Sequence, residues 1–319
     1  MNRMPEHDLP PGRHRLLKEH LMTEIRQHPE EAPARPRSPW LRPALTAAAV
    51  ATAAAVAFTV LPSSGGADAG PRVTSAATLL EDAALAAAHD DGYGEIRDDQ
   101  FVYVESQVSS TTIGRDGKVV HVPEQRMETW VSVDGTDETL VRYGSDGHEV
   151  RHAATAPGME LFSWYVGYNY LKSLPTEADG MYDLLLEARP RIGFGSFIAS
   201  KEGFYDRNQT LLLLAGGLLN NSIVPPAQSA ALYRAAARVP GVTVVADSVD
   251  AQGRHGVGIT RADSKLPMRL EWIFDEETHE LLGQRTTLTR DYRGLKKGTV
   301  LSETAVSRRA VVDKAGERP

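Results

Sequence analysis

From Ala44 to Leu61 the chain runs eighteen residues without a charge, a proline or a glycine. As a helix that stretch would extend about 27 Å, close to the hydrocarbon thickness of a bilayer. Three readings compete for it. A core helix of a soluble domain needs a polar stripe, and only Thr46, Thr52 and Thr59 interrupt the apolar surface. A cleaved signal peptide has a short leading region and small residues after its apolar run. Ala67-Asp68-Ala69 suits the second condition, but a long, organised segment precedes the run. A single membrane span fits the context best. Arg35, Arg37 and Arg42 stand before it, Trp40 lies at interface depth, and Arg72 is the first cation beyond it. The positive-inside rule then puts the N-terminus in the cytoplasm and everything after Leu61 outside. The expected location is the cell membrane, crossed once, with the lipid bilayer as a partner.

This divides the chain into a cytoplasmic arm (1–42), a membrane helix (43–61), a Gly/Ser/Ala linker (62–75), an exported domain (76–313) and a tail (314–319). Within the arm, residues 12–28 have the spacing of an amphipathic helix bounded by Pro10-Pro11 and Pro29. Leu17, Leu21 and Ile25 recur at every fourth position and form its apolar stripe. A helix this short is marginal alone in water. The stripe therefore needs a surface, either a partner protein's groove or the inner leaflet. Four prolines at 29–39 make the following segment a semi-extended linker.

The exported region changes period three times. Residues 75–90 read as an alanine-rich helix with Thr78 and Glu81 at capping-box spacing. Residues 100–152 alternate in β fashion around Asp116-Gly117, Asp134-Gly135 and Asp146-Gly147, which are hairpin signals. From 158 to 240 the pattern is helical, with Thr176 and Asp179 at cap spacing and Pro226 at a helix start. Three alternating runs follow from 242 onward. Strands, helices and strands again predict an α+β domain, because the last strands need the first to make a sheet of useful width.

Chemistry is harder to find. Net charge is −7, which argues against a nucleic-acid partner. The absence of cysteine removes disulfides, thiolate metal sites and thiol nucleophiles. The run 193–200 lacks the G-x-S-x-G spacing, and no S-x-x-K occurs. His279-Glu280 begins like a zincin helix without its second histidine. The glycines of 253–259 fall between strands, where they cannot open a phosphate-binding helix. No catalytic residue, metal site or cofactor is assigned. The best candidate binding feature is an aromatic cluster, Phe162, Trp164, Tyr165, Tyr168 and Tyr170. It suits either a ligand cavity or a helix packed on the sheet.

With these residues in place, the chain resembles a family of actinobacterial single-pass membrane proteins of unknown function. The likeness is carried by 9–22 (LPPGRHRLLKEHLM), 101–108 (FVYVESQV), 224–245 and 271–286 (EWIFDEETHELLGQRT). More distantly, the exported part resembles the LolA/RseB class. That likeness implies a curved antiparallel sheet closed by helices and a lipid or lipoprotein ligand. The topology is similar to that of anti-sigma factors, which implies a sigma-factor system as the cytoplasmic partner. The expectation is a non-enzymatic envelope protein that senses or holds an apolar ligand and reports inward. The alternatives are an exported cell-wall hydrolase with an N-terminal anchor and a plain interaction scaffold.

Overall fold

Strict side-chain alternation sets the architecture of the computed structural model, which describes residues 75–89, 92–113, 118–188 and 205–319. All of them belong to the unit Ala67–Pro319. Nine strands form: β1 (Phe101–Ile113), β2 (Val119–Ser132), β3 (Thr139–Tyr143), β4 (His148–His152), β5 (Thr243–Val249), β6 (His255–Ala262), β7 (Met268–Phe274), β8 (Leu281–Leu288) and β9 (Val300–Val312). They make one antiparallel sheet in the order β4-β3-β2-β1-β9-β8-β7-β6-β5. Two meanders are thus joined edge to edge by β1 and β9, whose register runs from Phe101 opposite Val312 to Ser110 opposite Ser302. The Asp-Gly turns after β2 and β3 fall where the sequence placed them, with Gly135 and Gly147 at φ 76° and 70°.

Among the described residues there are five helices: α1 (Ala76–Ala88), α2 (Tyr168–Ser173), α3 (Ala178–Glu187), α4 (Arg207–Asn221) and α5 (Pro226–Ala237). A 3-10 turn lies at Glu160–Phe162. The main core joins α1, α4 and α5 to one face of β6–β8, where Val257, Ile259, Leu270, Trp272 and Phe274 are buried. Register explains this selection. Ile259 pairs with Trp272 and Val257 with Phe274, so the apolar residues of neighbouring strands line up on one face. β1 contributes Val102 and Val104 to a smaller cluster with Val306 and Ile223.

Two helix starts differ from the sequence expectation. Ser75, not Thr78, caps α1 by accepting from the Thr78 N–H at 3.1 Å. Glu81 turns outward instead and takes a bidentate grip from Arg234 of α5. α3 begins after Glu177 with no side-chain cap. The start of α4 is the most heavily tied. Asp206 accepts from the Gln209 and Ser264 N–H groups and pairs with the buried Arg261 at 3.1 Å. Burial raises its pKa, but those donors outweigh that effect and hold it at about 2.

The expected fold class, an α+β protein of one transmembrane helix plus a helix-closed LolA/RseB-like sheet, is corrected by this architecture. The described residues form a nine-stranded antiparallel sheet with few helices. None of those helices is long and apolar enough to cross a membrane. The physical reason lies in the distribution of apolar surface. The helical core centres on β6–β8, whereas the opposite face at β1–β3 is covered by the chain's own C-terminal tail. The arm (1–42), the 43–61 stretch and Arg35, Arg37 and Arg42 lie outside the described residues, as do Leu17, Leu21 and Ile25.

Candidate functional site

The predicted aromatic cluster does not converge on one cavity. Phe162 and Tyr170 pack at the margin of the helical core, and Tyr168 joins the smaller cluster around Val102. Trp164 is half exposed. Tyr165 stacks on His152, ring centres 5.0 Å apart, and burial pushes its phenol pKa up. Tyr165 and Tyr170 line a small depression of about 200 Å³ beside the Asp134–Asp137 turn.

A larger cavity, of about 450 Å³, opens on the helical side between α1, the α4–α5 connection, α5, the turn before β8, and β9. Ala83, Ala86 and Ala87 of α1, with Leu219, Ile223 and Leu281, give it an apolar wall. Leu79 and Leu80 fill the first turns of this face of α1, and the smaller Ala83, Ala86 and Ala87 that follow on it leave the space.

The cavity's polar end is built by three elements. Tyr233, 5% exposed, is held on α5 against Trp272 and Phe274, with ring centres at 6.4 and 5.9 Å. Its hydroxyl has no hydrogen-bond partner among the described residues. Burial raises its pKa; Arg309 opposes this and Glu280 adds to it, so the phenol lies within electrostatic reach of both. Arg309 sits opposite Val104 in the β1–β9 ladder and therefore points to the helical face. It donates to the Leu219 carbonyl at 2.9 Å and reaches Glu280 only at 3.5 Å. Arg309 and Glu280 both line the cavity.

The turn before β8 supplies the rim. Asp275 accepts from Glu277 and Thr278, which forces His279 into the left-handed region at φ 58°. His279 Nε2 then stands 4.0 Å from Asp82 of α1. Ser222 and Ser229 line the same cavity, but Ser222 Oγ turns to the Ile223 carbonyl. No hydrogen bond links either serine to His279 among the described residues, so no activated hydroxyl is assembled. Gly253 lies in the β5–β6 turn, while Gly256 and Gly258 belong to β6.

Sequence inspection missed Tyr233 and Arg309. Tyr233 sits in an alanine-rich helix that reads as core, and Arg309 is one of two adjacent arginines in an alternating strand. Nothing local marks either. His279, which the sequence places at the start of an incomplete zincin pattern, lies in the turn before β8.

No protein-family model matches the chain, and neither does any curated protein. Among solved structures, the chain is similar to the dehydratase domain from the CurK module of curacin polyketide synthase. The match has 12% identity and a TM-score of 0.15, over 72% of this chain and 79% of that one. An inactive mutant of the CurK dehydratase is similar at the same identity and score, over 73% and 81%. At that score the likeness bears on neither fold nor activity.

Proposed function

We propose that this chain is a non-enzymatic envelope protein, held at the cell membrane, whose described domain faces outward and holds a small amphiphile. The ligand has an apolar body and an anionic or strongly accepting head. The observation that carries this reading is the 450 Å³ cavity, lined by Ala83, Ala86, Ala87, Leu219 and Ile223 together with Arg309 and Tyr233, whose hydroxyl has no hydrogen-bond partner among the described residues. Pockets of this size that combine apolar walls with a few converging donors are the usual form of small-molecule sites. A guanidinium and a phenol are both donors, so they select a carboxylate or phosphate head over a cation. On the cytoplasmic side, the stripe Leu17, Leu21 and Ile25 is proposed to contact a protein partner, such as a component of a sigma-factor system.

A titration with decanoate, followed through the emission of Trp272 beside Tyr233, tests the ligand reading. The full chain should bind, and Arg309→Gln should bind about tenfold more weakly, the loss of one charge-assisted hydrogen bond. Equal binding by both would refute the assignment of the head-group site. For the partner, Leu21→Asp should abolish capture in a pull-down and leave membrane insertion intact. Unchanged capture would remove the stripe from the account.

A further inference from the structure

The tail after β9 folds back over the face of β1–β3 opposite the helices. Arg318 sets one edge of its guanidinium, Nε and Nη2, on Glu128, at 2.7 Å to each carboxylate oxygen. Trp130 Nε1–H donates to the Glu317 carbonyl, and Arg308 donates to the Pro319 carbonyl at 2.9 Å. Gly316, at φ 88°, lets the chain turn close over Leu140 and Arg142. The floor beneath is aromatic and apolar, with Tyr103, Trp130 and Leu140 buried to 1%, 0% and 2% exposure.

Glu128 is the unusual member. It is a strand carboxylate exposed by only 2%. The Tyr103 hydroxyl shares its one proton between it and Glu105, each oxygen 2.9 Å away, and Arg126 is shared between the same two carboxylates. Arg142 is 3.7 Å away, but its close bonds go to Glu149. Glu105, Glu128 and Glu149 share this face with Arg126, Arg142 and Arg308, and Arg318 of the tail makes the two-bond pairing with the most buried of the three carboxylates. The bidentate fork is the geometry that selects arginine over lysine.

The tail itself brings small or polar groups: Ala315, Gly316, Glu317 and an Arg318 whose side chain is 52% exposed. Ala315 packs on the aromatic floor, while Arg318 remains half exposed even as it holds Glu128. The floor is a set of anchors of the kind that dominate peptide interfaces.

We infer that the β1–β3 face is a recognition site for an extended, arginine-bearing segment of a partner protein, and that the chain's own tail fills it in cis. Arg318 mimics the partner's arginine, and Glu128 is the recognition residue. A partner segment gains the site when it outcompetes the tail.

The test uses full-length Arg318→Ala, which loosens the tail, and a labelled peptide of residues 313–319. Binding should be at least about tenfold tighter than to the wild type, and should be lost again in Arg318→Ala/Glu128→Gln. A peptide with alanine for its arginine should not bind. A folded Arg318→Ala protein that ignores the peptide, or binds it with or without Glu128, overturns the inference. So does exchange of tails between two copies of the wild type, seen as a dimer that the peptide dissolves, because the occupant is then the chain itself. Should Arg318→Ala fail to fold, hydrogen exchange on the wild type decides. Excess peptide should speed exchange of amides 314–318 by holding the site open, and no change overturns the inference.

Discussion

Asp206 shows how much can rest on one carboxylate. It caps α4, accepts a backbone N–H from the β6–β7 connection, and neutralises Arg261 where both are about nine-tenths buried. Asp206→Ala leaves Arg261 buried and unpaired and uncaps the helix. Urea unfolding should register a loss of about 3 kcal/mol or more. Its pKa is depressed from 3.8 to about 2, so folding stabilises the ionised form. That contribution is complete above about pH 4 and is lost as pH falls through 2. The difference between wild type and Asp206→Ala should therefore shrink across pH 4 to 2, and a constant difference would contradict the assignment. At this scale the sequence was least informative. Asp206 precedes the helical run as a cap should, but its partner Arg261 lies 55 positions away. Tyr233 and Arg309 become a pair only when α5 is laid across β9. Single residues announce their secondary structure and not their distant neighbours.

Elements were more legible. The alternation of β1 to β3 and the Asp-Gly pairs after β2 and β3 could be read directly, because a short connection with glycine at positive φ leaves the next strand little choice of where to pair. The helical spacing of α4 and α5 and the proline opening α5 were equally plain. The caps of α1 and α3 were not, since Ser75 and Thr78 compete for one role and Glu81 is drawn away by Arg234. The adjacent glycines of α4 give a direct check on its packing. A Cβ on Gly216 would stand 2.7 Å from Trp272 Nε1 and 2.6 Å from Gln284 Oε1, while one on Gly217 meets nothing within 4 Å. Gly217→Ala should raise stability by about 0.5–1 kcal/mol through helix propensity alone. Gly216→Ala should lower it, since overpacking against a rigid, buried indole costs about 1–3 kcal/mol and outweighs the same gain. Thermal unfolding of the two variants checks both signs.

For the whole molecule, the joining of β1 to β9 is the decisive event. It converts two strand sets, separated by the helical region, into one nine-stranded sheet. The sequence called for such a union on grounds of sheet width but could not say which edges meet, because alternation is the same on every strand. The same union places Arg309 under the α4–α5 connection and delivers the tail to the opposite face, over Glu128. One side thereby gains a cavity with a cationic end, and the other gains a latched peptide. The central claim is that the cavity carries an amphiphile through Arg309 and Tyr233. Native mass spectrometry of the full chain, purified from the cells that make it, tests it most directly. The account predicts a bound organic anion on the wild type that is depleted in Arg309→Gln and in Tyr233→Phe. A wild-type chain with no adduct, or one whose adduct survives both substitutions, would contradict it.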